Sequence, residues 1–191
     1  MKLGKLFYAP NRKIWRKWLE KNHAKQKEIW LVYYKKSSGK PRVEYGDAVD
    51  EALCFGWIDS TVKTVDKYSF AQRFSPRNPR SDWSELNKEK ARRLFKAGLM
   101  HPAGIAATKG HHKAESAGKI IIPLWLQKAM KKDMRVWNNF KKFPEHYRRI
   151  RIAWITASAW NRGRKTRLAY FLKMTAKNKK YGMLQSLVKE L

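Results

Sequence analysis

Hydrophobic positions along the first hundred residues alternate between helical and strand periods. Ile14, Trp15, Trp18 and Leu19 recur at helical spacing behind Asn11, a residue type that caps helix N-termini, and lysines and arginines fill the other side. Residues 29–34 (IWLVYY) form a nearly unbroken apolar run of strand formers, which places them at the centre of a sheet. Residues 6–8 suggest a short strand closed by Ala9-Pro10. Residues 37–41 (SSGKP) suggest a turn, with a short strand over residues 42–45 returning beside the central one. Asp47, Asp50, Glu51 and Cys54 then fall at i, i+3, i+4 and i+7, one face of a helix, with Ala48, Val49, Ala52 and Leu53 on the core side and Gly56 as its stop. Residues 57–65 and 68–74 alternate and are rich in β-branched and aromatic residues, a hairpin with Asp66-Lys67 at its tip. Within it Trp57 shares a face with Asp59, and Gln72 with Phe70 and Phe74, while Arg73 points the other way. A loop over residues 75–81 leads into a helix that runs from Trp83 to about Ala97, with Leu86, Leu94 and Phe95 inward.

The second half is patterned as helix throughout. Residues 101–119 form a connector with three glycines. Pro123 opens a helix carrying Leu124, Trp125 and Leu126; Asp133 caps a second helix ending near Phe140. Pro144 opens a third with Tyr147, Ile150, Trp154 and Ala157 on one face, and Asn161 caps a fourth holding Leu168, Phe171 and Leu172. The expected class is α+β: a small, mostly antiparallel sheet with packed helices over residues 1–100, a connector over 101–120, and a basic helical C-terminal segment over 121–191.

Charge changes this picture in two places. The chain has 191 residues, a formal net charge of +29 and nine tryptophans, so it is a folded protein suited to polyanionic surroundings. Against that background residues 44–66 hold six carboxylates (Glu44, Asp47, Asp50, Glu51, Asp59, Asp66) and one cation, Lys63. A single cysteine excludes an intrachain disulfide and fits a reducing compartment. The N-terminus lacks a secretory apolar run, and no stretch reaches the roughly eighteen apolar residues of a membrane span. A cytoplasmic location is the expectation.

Candidate chemistry clusters in two regions. Trp57, Asp59, Gln72, Arg73, Arg77 and Trp83 are placed by hairpin and loop at one end of the sheet, where they are expected to line a ligand pocket with Asp59 held by an arginine. Arg148, Arg149 and Arg151 cluster with Arg162, Arg164, Lys165 and Arg167 over two consecutive helices, interleaved with Tyr147, Trp154, Trp160 and Tyr170. Of these, Arg148, Arg149, Arg162, Arg164, Lys165 and Arg167 are expected to line one positive surface. Such cations suit phosphates, and exposed aromatic faces suit unpaired bases. The carboxylate face of the acidic helix lacks the spacing of a calcium loop and reads better as a solvated face or as one paired with the chain's arginines. The histidines lack metal-ligand spacing, and no phosphate loop, nucleophile triad or dinucleotide fingerprint is present. No cofactor or metal is expected. Cys54 sits among acids, which disfavours a thiolate nucleophile.

Residues 46–60 (GDAVDEALCFGWIDS), followed by QRFSPRNPRSDWSELNK, are similar to the signature of the bacteriocin-protection, YdeI/OmpD-associated family. The upstream WLEKNH and EIWLVYYKKSSGK and the downstream FPEHYRRIRIAWITASAWNRGRKTR extend the resemblance over most of the chain, although residues 160–165 are more basic and glycine-containing than the usual pattern. The resemblance implies a role in stress protection against cationic antimicrobial peptides, with no agreed reaction or ligand. Three readings therefore compete: a cytosolic, non-enzymatic protection protein acting by binding; a sequence-independent nucleic-acid-binding protein; and an enzyme centred on Glu51, Cys54 and Asp59. Like charges repel, so a +29 chain cannot sequester cationic peptides through its net charge.

Overall fold

The computed structural model describes residues 2–157 and 163–182. It shows an α+β protein with one four-stranded mixed sheet in the order β1-β2-β4-β3 and, among the described residues, eight α-helices. The chain divides into two compact units, residues 1–83 with 90–116, and residues 84–89 with 117–191.

In the first unit, β1 (Leu6–Tyr8) runs parallel to β2 (Ile29–Tyr34), joined by the crossover helix α1 (Arg12–Asn22) that a parallel pair requires. Asn11 caps α1 by accepting from the Ile14 N–H at 3.0 Å. The antiparallel hairpin of β3 (Trp57–Thr64) and β4 (Ser69–Pro76) adds to the other edge of β2. Its tip is an Asx turn: the Asp66 carboxylate accepts from the Tyr68 N–H at 2.7 Å. Both edges of β2 are thus occupied, so the short strand expected over residues 42–45 has no partner. Val43 instead donates a single backbone hydrogen bond to the Ala9 carbonyl, and Tyr45 already opens the acidic helix α2 (Tyr45–Cys54).

The core beneath the sheet contains Trp15, Leu19, Ile29, Leu31, Tyr33, Val49, Leu53, Trp57 and Phe74. Two polar links fix α1 and α2 on it. The Trp15 indole donates to the Ala48 carbonyl at 3.0 Å. Glu51, only 2% exposed, receives Arg12 Nε at 2.5 Å and Arg16 Nη1 at 2.7 Å. A carboxylate removed from water is costly unless paired and hydrogen-bonded, and here both of its oxygens are engaged by guanidinium groups. Arg12 also reaches Asp47 at 3.4 Å. The helix α3 (Glu85–Lys96) supplies a third cation: Lys90, 1% exposed, pairs with Asp50. On α3 Leu94 is buried, whereas Phe95, one position further round the helix, is 44% exposed and meets the His112 ring instead of the core.

The short helix α4 (Pro102–Ala107) lies against the C-terminus of α2. Gly56 allows this with a positive φ of 76° at the end of α2, and Gly104 allows it by having no side chain. A Cβ at Gly104 would collide with the Cys54 and Leu53 carbonyls.

The second unit is helical: α5 (Leu124–Lys131), α6 (Met134–Lys142), α7 (Glu145–Thr156) and α8 (Arg164–Ala176). Its core is built from Leu126, Met130, Val136, Phe140, Tyr147, Ile150, Ile155 and Phe171. Asp133 caps α6 by accepting from the Arg135 N–H at 2.9 Å, as its position predicts. Trp154 is not part of the inward face; it stands 37% exposed, and Arg151 is buried in its place. The Asn161 cap expected for the last helix lies outside the described residues.

Two stability outcomes follow from these contacts. Arg12→Ala with Arg16→Ala leaves Glu51 buried without compensation, and guanidinium unfolding should show a loss of about 3 kcal/mol, the lower end for stripping a buried charge because both arginines are partly solvated. Gly104→Ala, which merely adds a methyl group, should cost about 1–3 kcal/mol in the same assay through overpacking against α2.

Candidate functional site

The carboxylates of α2 face other parts of the first unit. Glu51 is closed off by Arg12 and Arg16, and Asp50 by Lys90, whose ammonium also reaches the Gly46 carbonyl at 3.4 Å. Burial pushes the Asp50 carboxyl up, against the pull of Lys90. Burial likewise pushes the Cys54 thiol up to about 12, aided by the Glu51 charge and opposed by Arg16 and Arg12. Cys54 is fully buried. Asp59 takes no part in this cluster, so Glu51, Cys54 and Asp59 do not share a site.

The six residues expected to line one pocket fall into four places. Trp57 belongs to the core, where its indole donates to the His23 carbonyl at 3.2 Å. Asp59 accepts from Tyr45 Oη at 2.6 Å and from Gln72 Nε2 at 3.3 Å. A bulge between Asp59 and Val62 places the Ser60 carbonyl within reach of the same Gln72 amide, at 3.0 Å. Arg73, on the opposite sheet face, pairs with Glu28 at 2.7 Å. Arg77 stacks over the Trp83 ring at 4.3 Å and donates to the Asp82 carbonyl. The arginine expected at Asp59 is therefore replaced by Tyr45. Strand alternation sends Gln72 and Arg73 to opposite faces, and the tyrosine comes from the first turn of α2, where a strand was expected. Beside this group Tyr33 is 2% exposed with its hydroxyl unpaired by any described residue, and burial raises its pKa.

In the second unit, two of the predicted basic residues hold backbone. Arg149 bridges the Ala117 and Gly118 carbonyls and pairs with Glu145. Arg167 donates to the Trp154 and Gly163 carbonyls. Arg164 lies over the Trp125 ring at 5.9 Å, Arg148 is partly buried, and Lys165 is exposed. Arg162 and Trp160 lie outside the described residues. Arg151, expected in the same basic cluster, is instead buried among Tyr147, Trp154 and Tyr181, 4.6 Å from the Tyr181 ring centre. Lys173, on α8, and Lys177, at its C-cap, are exposed like Lys165. Ile120, Ile121, Ile152 and Ala153 line a 270 Å³ groove, with Lys119, Arg149 and Glu85 among its polar residues.

Sequence reasoning missed Arg12, Arg16, Lys90 and Tyr45. The i, i+4 spacing of Arg12 and Arg16 was a usable signal, since it sets two cations on one side of α1. Among the described residues, no group of three or more His, Cys, Asp or Glu could hold a metal. No described helix is long and apolar enough to cross a membrane.

The chain belongs to a family defined by a domain of unknown function, DUF8412, whose model matches residues 7–107. Residues 119–178 match a second family model, described as bacteriocin-protection, YdeI or OmpD-associated. The acidic helix and hairpin fall in the first match and the basic helices in the second. The second match supports a bacteriocin-protection-related role. No curated protein and no solved structure matches the chain significantly.

With its thiol protonated at neutral pH and shielded from solvent, native Cys54 should react with a maleimide roughly a hundredfold more slowly than the unfolded chain. Rapid stoichiometric labelling of the folded protein would show an activated thiol.

Proposed function

We propose that this is a cytosolic, non-enzymatic protein that serves bacteriocin protection by binding a polyanion through its helical unit. The observation that carries this reading is the contrast between the two units. The acids of α2 are taken up by Arg12, Arg16 and Lys90, so they offer little to a cationic peptide. Residues 117–191, by contrast, hold nineteen Lys and Arg against three Asp and Glu. A surface of that sign attracts phosphates, releases their counterions and repels cationic peptides. Protection then works through occupation of an anionic target. Arg164 and Lys165, with Lys173 and Lys177, are the residues proposed to meet it; Arg149 and Arg167 are assigned to holding the helices in place.

Nucleic acid is the second reading, favoured by Tyr170, which is 46% exposed beside this basic edge and can stack on an unpaired base.

Anisotropy titration of a single-stranded oligonucleotide across salt concentrations tests the electrostatic claim for either reading. Neutralising about four phosphates gives a log–log slope near −3. Replacing Lys165, Lys173 and Lys177 by alanine should flatten that slope by about two. Absence of binding at low salt, or binding indifferent to salt and to these substitutions, would refute the polyanion reading.

A further inference from the structure

The outward stripe of α5 is divided into two chemistries. Leu126 and Met130 turn inward and are fully buried. Leu124, Lys128 and Lys131 follow one another at i, i+4 and i+7 on the opposite side, joined by Trp125 and Lys132. The first turn of that stripe is apolar: Leu124 is 65% exposed and Trp125 41% exposed. Ile121, just ahead of Pro123, is 82% exposed and also lines the 270 Å³ groove with Ile120, Ile152 and Ala153. The last turn is cationic, with Lys128, Lys131 and Lys132 all exposed. Arg164 over the Trp125 ring brings the basic start of α8 to the same edge. The result is an apolar ridge bordered by positive charge on two sides.

We infer that this ridge docks on an anionic lipid surface, with Ile121, Leu124 and Trp125 entering the headgroup–acyl boundary and the flanking lysines meeting lipid phosphates. The inference rests on the polyanion reading and names the partner. Three features select a bilayer. Two exposed aliphatic side chains find no partner on a phosphodiester strand, where only Trp125 could stack. Lysine is depleted at protein–protein interfaces, whereas its long apolar stem and charged head suit the membrane boundary, as does the amphipathic ring of tryptophan. An apolar wedge and a polybasic flank are also the paired signals that a stable peripheral attachment needs.

The test uses the full chain and sedimentation of vesicles made from phosphatidylcholine alone or mixed with phosphatidylglycerol. Binding is expected to the mixed vesicles only. Ile121→Ser with Leu124→Ser should weaken it at least about tenfold while leaving oligonucleotide affinity within about twofold. Lys128, Lys131 and Lys132 replaced together by alanine should abolish the preference for anionic vesicles. Leu124→Cys provides a second readout: Cys54 is buried, so a polarity-sensitive thiol dye reports position 124, and its emission should shift to the blue on vesicle addition. If the Ile121→Ser/Leu124→Ser chain binds vesicles as well as the native one, or the dye stays in water, the ridge is not the contact; a normal oligonucleotide salt slope would then leave the polyanion reading standing. If the same substitutions abolish oligonucleotide binding equally, the surface is a nucleic-acid site and the lipid assignment is overturned. A chain that binds neither probe at low salt removes both readings.

Discussion

Glu51 sits at 2% exposure between the guanidinium groups of Arg12 and Arg16, and the layout of the first unit depends on that arrangement. A carboxylate with little access to water needs counter-charge close by, and the two arginines come from the crossover helix between the parallel strands. Satisfying Glu51 therefore fixes the rotation of α1 about its axis. That rotation sets Trp15 against the Ala48 carbonyl and stacks Trp15 on Trp18 with ring centres 5.3 Å apart. The Trp18 ring then meets Trp57 edge-on at 5.8 Å, so the clamp and the aromatic core specify one another. Lys90 and Asp50 repeat the device at the adjacent position of α2.

The consequence for function is electrostatic. An acidic stretch in a strongly basic chain invites reading as a site for cations or cationic peptides. Here its charges are neutralised from within, and Cys54 is left in a dry setting where burial keeps its thiol protonated. The helical unit has the opposite character. Its core also buries a cation, Arg151, which among the described residues lies against the rings of Tyr147, Trp154 and Tyr181. Few acids are available there to offset the remaining lysines and arginines.

Much of this was legible in the sequence because it is local. The unbroken apolar run of β2, the alternation of the hairpin, the caps at Asn11 and Asp133, and the basic helical second half all follow from spacing and residue type. What could not be read depends on tertiary partners. Residues 42–45 have strand-like composition, but both edges of β2 are already taken, by β1 and by β4. Asp59 was expected to need an arginine, and a tyrosine from the preceding helix α2 satisfies it. Trp154 was grouped on one face with Tyr147 and Ile150, but Ile155 is the buried neighbour and Trp154 stands at the surface.

The central claim is that the acidic helix is scaffold and that binding belongs to the helical unit. Glu51→Gln examines it directly, by following unfolding and polyanion affinity on the same preparation. The account predicts a clearly lowered unfolding midpoint, with oligonucleotide and vesicle affinities within about twofold of native at temperatures where the variant is fully folded. Unchanged stability with a large change in affinity would contradict it and return the acidic helix to the binding site.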